Sequence, residues 1–192
     1  LEQMLIAEMG DGGSAAEIDV MGMAYISQSI MDAAMDDIGN LFPIAIVAII
    51  VILLIIYRDI IDTVLGLLGL VLAIVWMYGF GAAMGYSFNP MTLVVPILIL
   101  GLGIDYSIHL VMRYREERGD GESPESATRN TIVSVGEALV LATVTTVIAF
   151  LSNITSSMGA IAQFGVLAAV GIISSFIIMI LLVPANKVLR DL

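Results

Sequence analysis

Five long apolar runs constrain this chain more than any other feature of its sequence. A helix needs roughly 20 apolar residues to cross a hydrocarbon core of about 30 Å. The runs are continuous, whereas the strands of a membrane barrel alternate apolar and polar residues. The sequence therefore predicts an all-α membrane protein, a bundle of five transmembrane helices. The predicted spans are about 41–57, 63–84, 91–114, 137–153 and 160–183.

The composition agrees with this class and argues against most others. The chain is 59% hydrophobic and 13% charged, with a mean hydropathy of +1.04, whereas soluble domains are about half apolar and a quarter charged. Water-soluble enzyme folds are therefore disfavoured, and no nucleophile–base pair or metal cluster stands out. We expect no enzyme activity, cofactor or metal. Seven basic residues against 18 acidic ones offer no patch for nucleic acid.

The basic residues all fall on one predicted side of the membrane. They lie at or after the ends of the first, third and last spans: Arg58, Arg113, Arg115, Arg118, Arg129, Lys187 and Arg190. The opposite side, made of residues 1–40, 85–90 and 154–159, contains no Lys or Arg. The positive-inside rule therefore predicts a multi-pass protein of the cell membrane with its N-terminus outside and its C-terminus in the cytoplasm.

Two segments outside the spans are predicted to be amphipathic helices. Residues 27–40 carry a helical apolar stripe and are expected to lead into the first span, with a break or a kink at Gly39-Asn40. Ser123-Pro124 has the pattern of a helix start, and residues 124–135 are predicted to lie along the cytoplasmic membrane surface. Asn89-Pro90 marks the start of the third span.

The two ends of the chain are expected to lie outside the bundle of residues 41–185. Pro184 is predicted to close the last span, which leaves residues 186–192 as a cytoplasmic tail. Residues 16–21 are compatible with a strand, and residues 1–26 are too few to form a domain alone. Because the sequence begins with Leu1, we expect a fragment of a longer protein.

The third span contains an ionisable residue far from its ends. Asp105 lies 14 residues after Met91, about 21 Å into the predicted helix. A charge at that depth is costly, so such residues usually face a bundle interior and serve function. His109 lies four residues further on, on the same helical face, and Tyr106 points about 100° away, towards another helix.

Small and hydroxyl-bearing residues surround this position in the predicted bundle. Gly101 and Gly103 remove side-chain bulk one turn away, which allows a helix or water to approach. Thr143 and Thr146 share a face of the fourth span, where they either line a pathway facing Asp105 or bond to their own backbone.

Two roles for Asp105 follow from its chemistry. Lipid surroundings favour the neutral carboxyl and entering water favours the carboxylate, so Asp105 is suited to hold and release a proton. Alternatively, a bond from Asp105 to His109 or to a tyrosine merely stabilises the packing of the helices.

Three stretches in this order resemble the RND superfamily, in particular its MmpL-like and hydrophobe/amphiphile exporter branch. They are GLGIDYSIHLVMRYREE, ALVLATVTTVIAFLSNI and FGVLAAVGIISSFIIMILLVPA. Gly101 and Asp105 occupy the positions of the GxxxD motif in the fourth helix of that family, a motif that sterol-sensing domains share. The resemblance implies that the chain is half of an RND transmembrane domain and that residues 1–26 are a remnant of the extracytoplasmic porter domain.

The same resemblance implies a function and partners. It implies a proton-driven exporter of lipids or other hydrophobic compounds, with Asp105, Tyr106 and His109 as the proton relay. Its partners would be membrane lipids, protons and either the second half of the same protein or a second copy, which supplies a tyrosine to Asp105. The alternative is a sterol-sensing-like module that binds lipid or a partner without transport. The protein-export branch of the superfamily fits less well, because its pattern around the fourth helix differs.

Overall fold

The computed structural model describes residues 15–191, which form five long α-helices. All five are long and apolar enough to cross a membrane, which confirms the predicted all-α, five-helix membrane bundle. Residues 16–21 lie in the first helix, so the strand considered there is wrong, whereas residues 1–14 lie outside the described part. The helices are α1 (Ala15–Tyr57), α2 (Ile60–Ala83), α3 (Pro90–Gly119), α4 (Pro124–Leu151) and α5 (Gly159–Asp191), with a 3₁₀ turn at Ser152–Thr155.

Side-chain caps explain where three of the helices begin. Asn89 accepts a hydrogen bond from the backbone N–H of Thr92, whose hydroxyl oxygen accepts from the backbone N–H of Asn89. The hydroxyl of Ser123 accepts from the N–H of Ser126, and the carboxylate of Asp59 accepts from that of Ile61. Each cap satisfies N–H groups that the first turn leaves free. The helix starts predicted at Asn89-Pro90 and Ser123-Pro124 are present.

The helices continue without interruption through three positions where the sequence predicted an end, a break or a kink. α1 runs uninterrupted through Gly39-Asn40 and Pro43, and α5 runs through Pro184 to Asp191. The predicted helix 124–135 is present as the first part of α4, which continues without interruption to Leu151. A glycine costs a helix only about 1 kcal/mol, and interrupting a helix near lipid leaves backbone groups unpaired.

Contacts with neighbouring helices stabilise two of these continuations. The start of α4 is held by α3, since Asn130 donates to Glu117 over 2.9 Å and Arg113 donates to the hydroxyl of Ser134 over 3.2 Å. The end of α5 is held by Asp62 of α2, which Lys187 contacts at 2.5 Å.

α5 packs between α2, α3 and α4, and glycines let it approach closely. A Cβ at Gly103 of α3 would lie 2.3 Å from the hydroxyl oxygen of Ser175, and one at Gly165 would lie 2.3 Å from the carbonyl oxygen of Phe150. Both distances are shorter than van der Waals contact. The bundle core thus depends on backbone proximity of the kind that small residues provide in membrane helices.

Gly165→Ala is expected to lower the free energy of unfolding by about 1–3 kcal/mol, the usual cost of overpacking. The added methyl group meets a backbone oxygen, which cannot rotate away as a flexible side chain can. The matched control is Gly79→Ala in α2, where a Cβ has no heavy atom within 4 Å. Unfolding by detergent titration measures both variants, and equal stabilities would contradict the close approach of α5 to the end of α4.

Candidate functional site

Asp105 lies on the outer face of α3, turned away from the other four helices. It is exposed, as are Gly101 and His109, one turn before it and one turn after it. The spacing of four residues places the three on one helical face. Neither Asp105 nor His109 forms a side-chain hydrogen bond to any residue in the range 15–191. The bundle therefore presents an ionisable, unpaired face in the middle of a span.

Tyr106 points into the bundle, away from this face. It is 7% exposed, and its ring packs edge-on against Phe176 of α5 with centroids 5.6 Å apart. Its hydroxyl lies 3.0 Å from the hydroxyl of Thr143 of α4, which also donates to the carbonyl oxygen of Leu139 over 2.6 Å. Tyr106 thus joins α3 to α4 and α5.

Ser107, the next residue, binds a different helix. The buried hydroxyl of Tyr57, at the end of α1, donates to the hydroxyl of Ser107 over 2.7 Å. Successive side chains on a helix point about 100° apart, so Tyr106 anchors α3 on one side and Ser107 anchors it on another. Asp105 is left facing outwards because the rotation of α3 is held by these two neighbours.

The remaining predicted residues are two glycines on opposite faces of α3 and two threonines of α4. Gly101 adds open space to the face of Asp105, whereas Gly103 contacts Ser175 and Leu70 inside the bundle. The hydroxyl of Thr146 donates to the carbonyl oxygen of Ala142 over 2.7 Å. Thr143 and Thr146 both bond to their own helix backbone, and only Thr143 is brought against the tyrosine that follows Asp105.

A buried ionic cluster at the predicted cytoplasmic end was missed by the sequence reasoning. At its centre is Asp62, whose side chain is 2% exposed and lies 2.5 Å from Lys187, 3.3 Å from Arg115 and 3.7 Å from Arg190. In the sequence these cations indicate only the topology. The available signal was an acid within the apolar start of α2, together with two cations three residues apart after the last apolar run.

Arg190 also binds the loop between α1 and α2. Its guanidinium lies 2.5 Å from the carboxylate of Asp59 and lowers the pKa of that group below its ordinary value by donating a hydrogen bond. The cluster therefore connects the ends of α1, α2, α3 and α5 on one side of the bundle.

Known proteins with similar sequences include a membrane protein and two named transporters. The chain is 34% identical over 151 residues to the putative membrane protein MJ1562 of Methanocaldococcus jannaschii, covering 77% of the chain and 38% of that protein. It is 33% identical over 105 residues to the hopanoid transporter HpnN of Burkholderia multivorans, covering 55% and 12%. It is 30% identical over 158 residues to the acyltrehalose exporter MmpL10 of Mycobacterium tuberculosis, covering 80% and 16%.

The chain spans less than two fifths of the length of each of these relatives. A family model described as the MMPL family matches residues 4–189, nearly the whole chain. The match and the five apolar helices make this a multi-pass membrane protein and confirm the resemblance to the RND superfamily. The chain, with its outward-facing aspartate in the third membrane helix, belongs to the MMPL family.

Proposed function

We propose that this chain is the transmembrane half of a proton-driven exporter of lipids or other amphiphilic compounds. The observation that carries the proposal is the exposed, unpaired carboxyl of Asp105 in the middle of a membrane helix. The names of the relatives support the substrate class, because two of them are a hopanoid transporter and an acyltrehalose exporter. The distribution of Lys and Arg supports a cell-membrane location with the C-terminus in the cytoplasm.

The face of Asp105 needs a protein partner. Leaving a carboxyl and an imidazole against lipid costs several kcal/mol, so we propose that a second half or a second copy covers Gly101, Asp105 and His109. The lengths of the relatives are compatible with either partner, a second half of the same chain or a second copy. Alignments of 151 and 158 residues cover 38% of MJ1562 and 16% of MmpL10, so the first protein is less than half as long as the second. Two copies or two repeats would then give the same two-fold arrangement.

The proposed mechanism is a change in the charge of Asp105. With a proton the carboxyl is neutral and tolerates a dry interface, whereas without it the carboxylate requires water or a cation. His109 on the same face, one turn nearer the cytoplasm, is the proposed route for the proton. For Tyr106 to serve the relay by meeting the carboxyl of the opposite half, its ring must leave Thr143 and Phe176. The proton cycle would therefore involve a rearrangement between α3 and α4.

The proposal is tested by reconstituting the full-length protein into vesicles that contain a fluorescent acylated lipid. An imposed proton gradient is expected to drive transfer of the lipid, and a protonophore is expected to stop it. The rate of transfer and the lumenal pH are recorded together. Lipid binding without gradient-dependent transfer would contradict the proposal and favour the sterol-sensing-like module instead.

A further inference from the structure

α1 is much longer than a membrane span and is held mainly at one end. Its 43 residues form a continuous helix of about 64 Å, twice the thickness of a hydrocarbon core. Among the α1 residues whose side chains are described, the buried ones are Ile49, Leu53 and Tyr57, all in the last third. Phe42 and Ile46 also pack, partly buried, against the core, so α1 is attached along residues 42–57, and the described residues before Phe42 are exposed or half-buried.

Two points of contact join that end of α1 to the helix that carries Asp105. The hydroxyl of Tyr57 donates to Ser107 over 2.7 Å. Eight residues further along α3, the guanidinium of Arg115 donates to the backbone carbonyl oxygens of Ile56, over 3.3 Å, and of Tyr57. Eight residues are a little over two helical turns, so the two contacts lie on adjacent faces of α3, about 80° and about 12 Å apart.

The contact made by Arg115 also caps the C-terminal end of α1. The last carbonyl groups of an α-helix have no partner within the helix, and Arg115 satisfies two of them at the end of α1. The chain then turns within two residues, where Arg58 adopts a φ of 50°. Arg115 also reaches Asp62 of α2 at 3.3 Å, so the turn is held from both sides.

We propose that Tyr57, Ser107 and Arg115 form a coupling staple that transmits displacement of α3 to the extracytoplasmic part of α1. Ser107 lies two residues from Asp105, so an axial shift or rotation of α3 either breaks the staple or carries Tyr57 with it. Because α1 is continuous, movement of its packed part, residues 42–57, displaces the part before Phe42. These are positioning residues, and the inference rests on the proposed function, in which α3 responds to the protonation of Asp105.

The test uses the absence of cysteine from the chain. Spin labels on Ser29→Cys in α1 and Thr155→Cys after α4, both at exposed positions, report the distance across the extracytoplasmic side by pulsed EPR in vesicles. Asp105→Asn mimics the neutral carboxyl permanently. We expect Asp105→Asn to shift the distance distribution. We expect this shift to fall by at least half when either Tyr57→Phe or Ser107→Ala is combined with Asp105→Asn.

Two further variants keep the result interpretable. Tyr57→Phe with Ser107→Ala removes both hydroxyls and leaves no buried group unpaired, so it is expected to fold and to lose the shift as fully as either single variant. Tyr78→Phe in α2, another partly buried tyrosine, is the matched control and is expected to retain the full shift. A full shift in all the staple variants would overturn the coupling and leave the Asp105 switch intact. If the single variant Asp105→Asn left the distance distribution unchanged, the proposed Asp105 switch would be overturned as well.

Discussion

Asp105→Asn is expected to reduce proton-driven transport by about two orders of magnitude or more, the range found when a proton-transfer group is removed. Asparagine has nearly the shape of aspartate but does not bind and release a proton. The exposed position of Asp105 on α3 means that the fold of this chain depends little on its charge. The measurement is the initial rate of lipid transfer under an imposed proton gradient, at equal amounts of reconstituted protein.

The matched control for this prediction is Asp120→Asn, which changes an exposed acid at the end of the same helix. It is expected to transport at the rate of the parent protein. Asp120→Asn should unfold within about 0.5 kcal/mol of the parent, as surface changes usually do. Undiminished, gradient-dependent transport by Asp105→Asn would remove Asp105 from the mechanism, whatever covers its face.

Lys187→Met is expected to lower the free energy of unfolding by about 3 kcal/mol. Removing one partner of a buried ion pair typically costs 3–5 kcal/mol, because the other charge stays buried. The side chains of Lys187 and Asp62 are 8% and 2% exposed and lie 2.5 Å apart. Arg115 and Arg190 remain near Asp62 and compensate part of its charge. The expected loss is therefore at the low end of that 3–5 kcal/mol range. Equilibrium unfolding in mixed micelles measures it.

Two comparison variants separate burial from pairing. Glu116→Gln removes the surface pair with Arg113, in which the side chains are 60% and 39% exposed, and is expected to cost less than about 1 kcal/mol. Asp62→Leu with Lys187→Met removes both charges and is expected to recover much of the stability, since apolar replacement of a buried pair is often neutral. A loss below about 1 kcal/mol for Lys187→Met alone would show that Asp62 is solvated in the folded protein.

The sequence alone was sufficient for the class of protein and for the number of helices. Both follow from local quantities, because the length and apolarity of a run decide whether it can span a bilayer. The starts of α3 and α4 were also predictable from the local sequence, because Asn89 and Ser123 lie within three residues of the N–H groups they bind. Asp105 was recognisable because an acid inside an apolar run is rare.

Helix ends and the direction of each side chain depended on the tertiary structure. α5 continues past Pro184 where Asp62 holds Lys187, and these two residues are 125 positions apart in the chain. The helical period places Asp105, Tyr106 and Ser107 about 100° apart, but it does not say which of them faces out. That was decided by Thr143 and Tyr57, which bind the two inner side chains from different helices. Rotation about a helix axis has no local energetic preference, so only packing against the other helices turns Asp105 outwards.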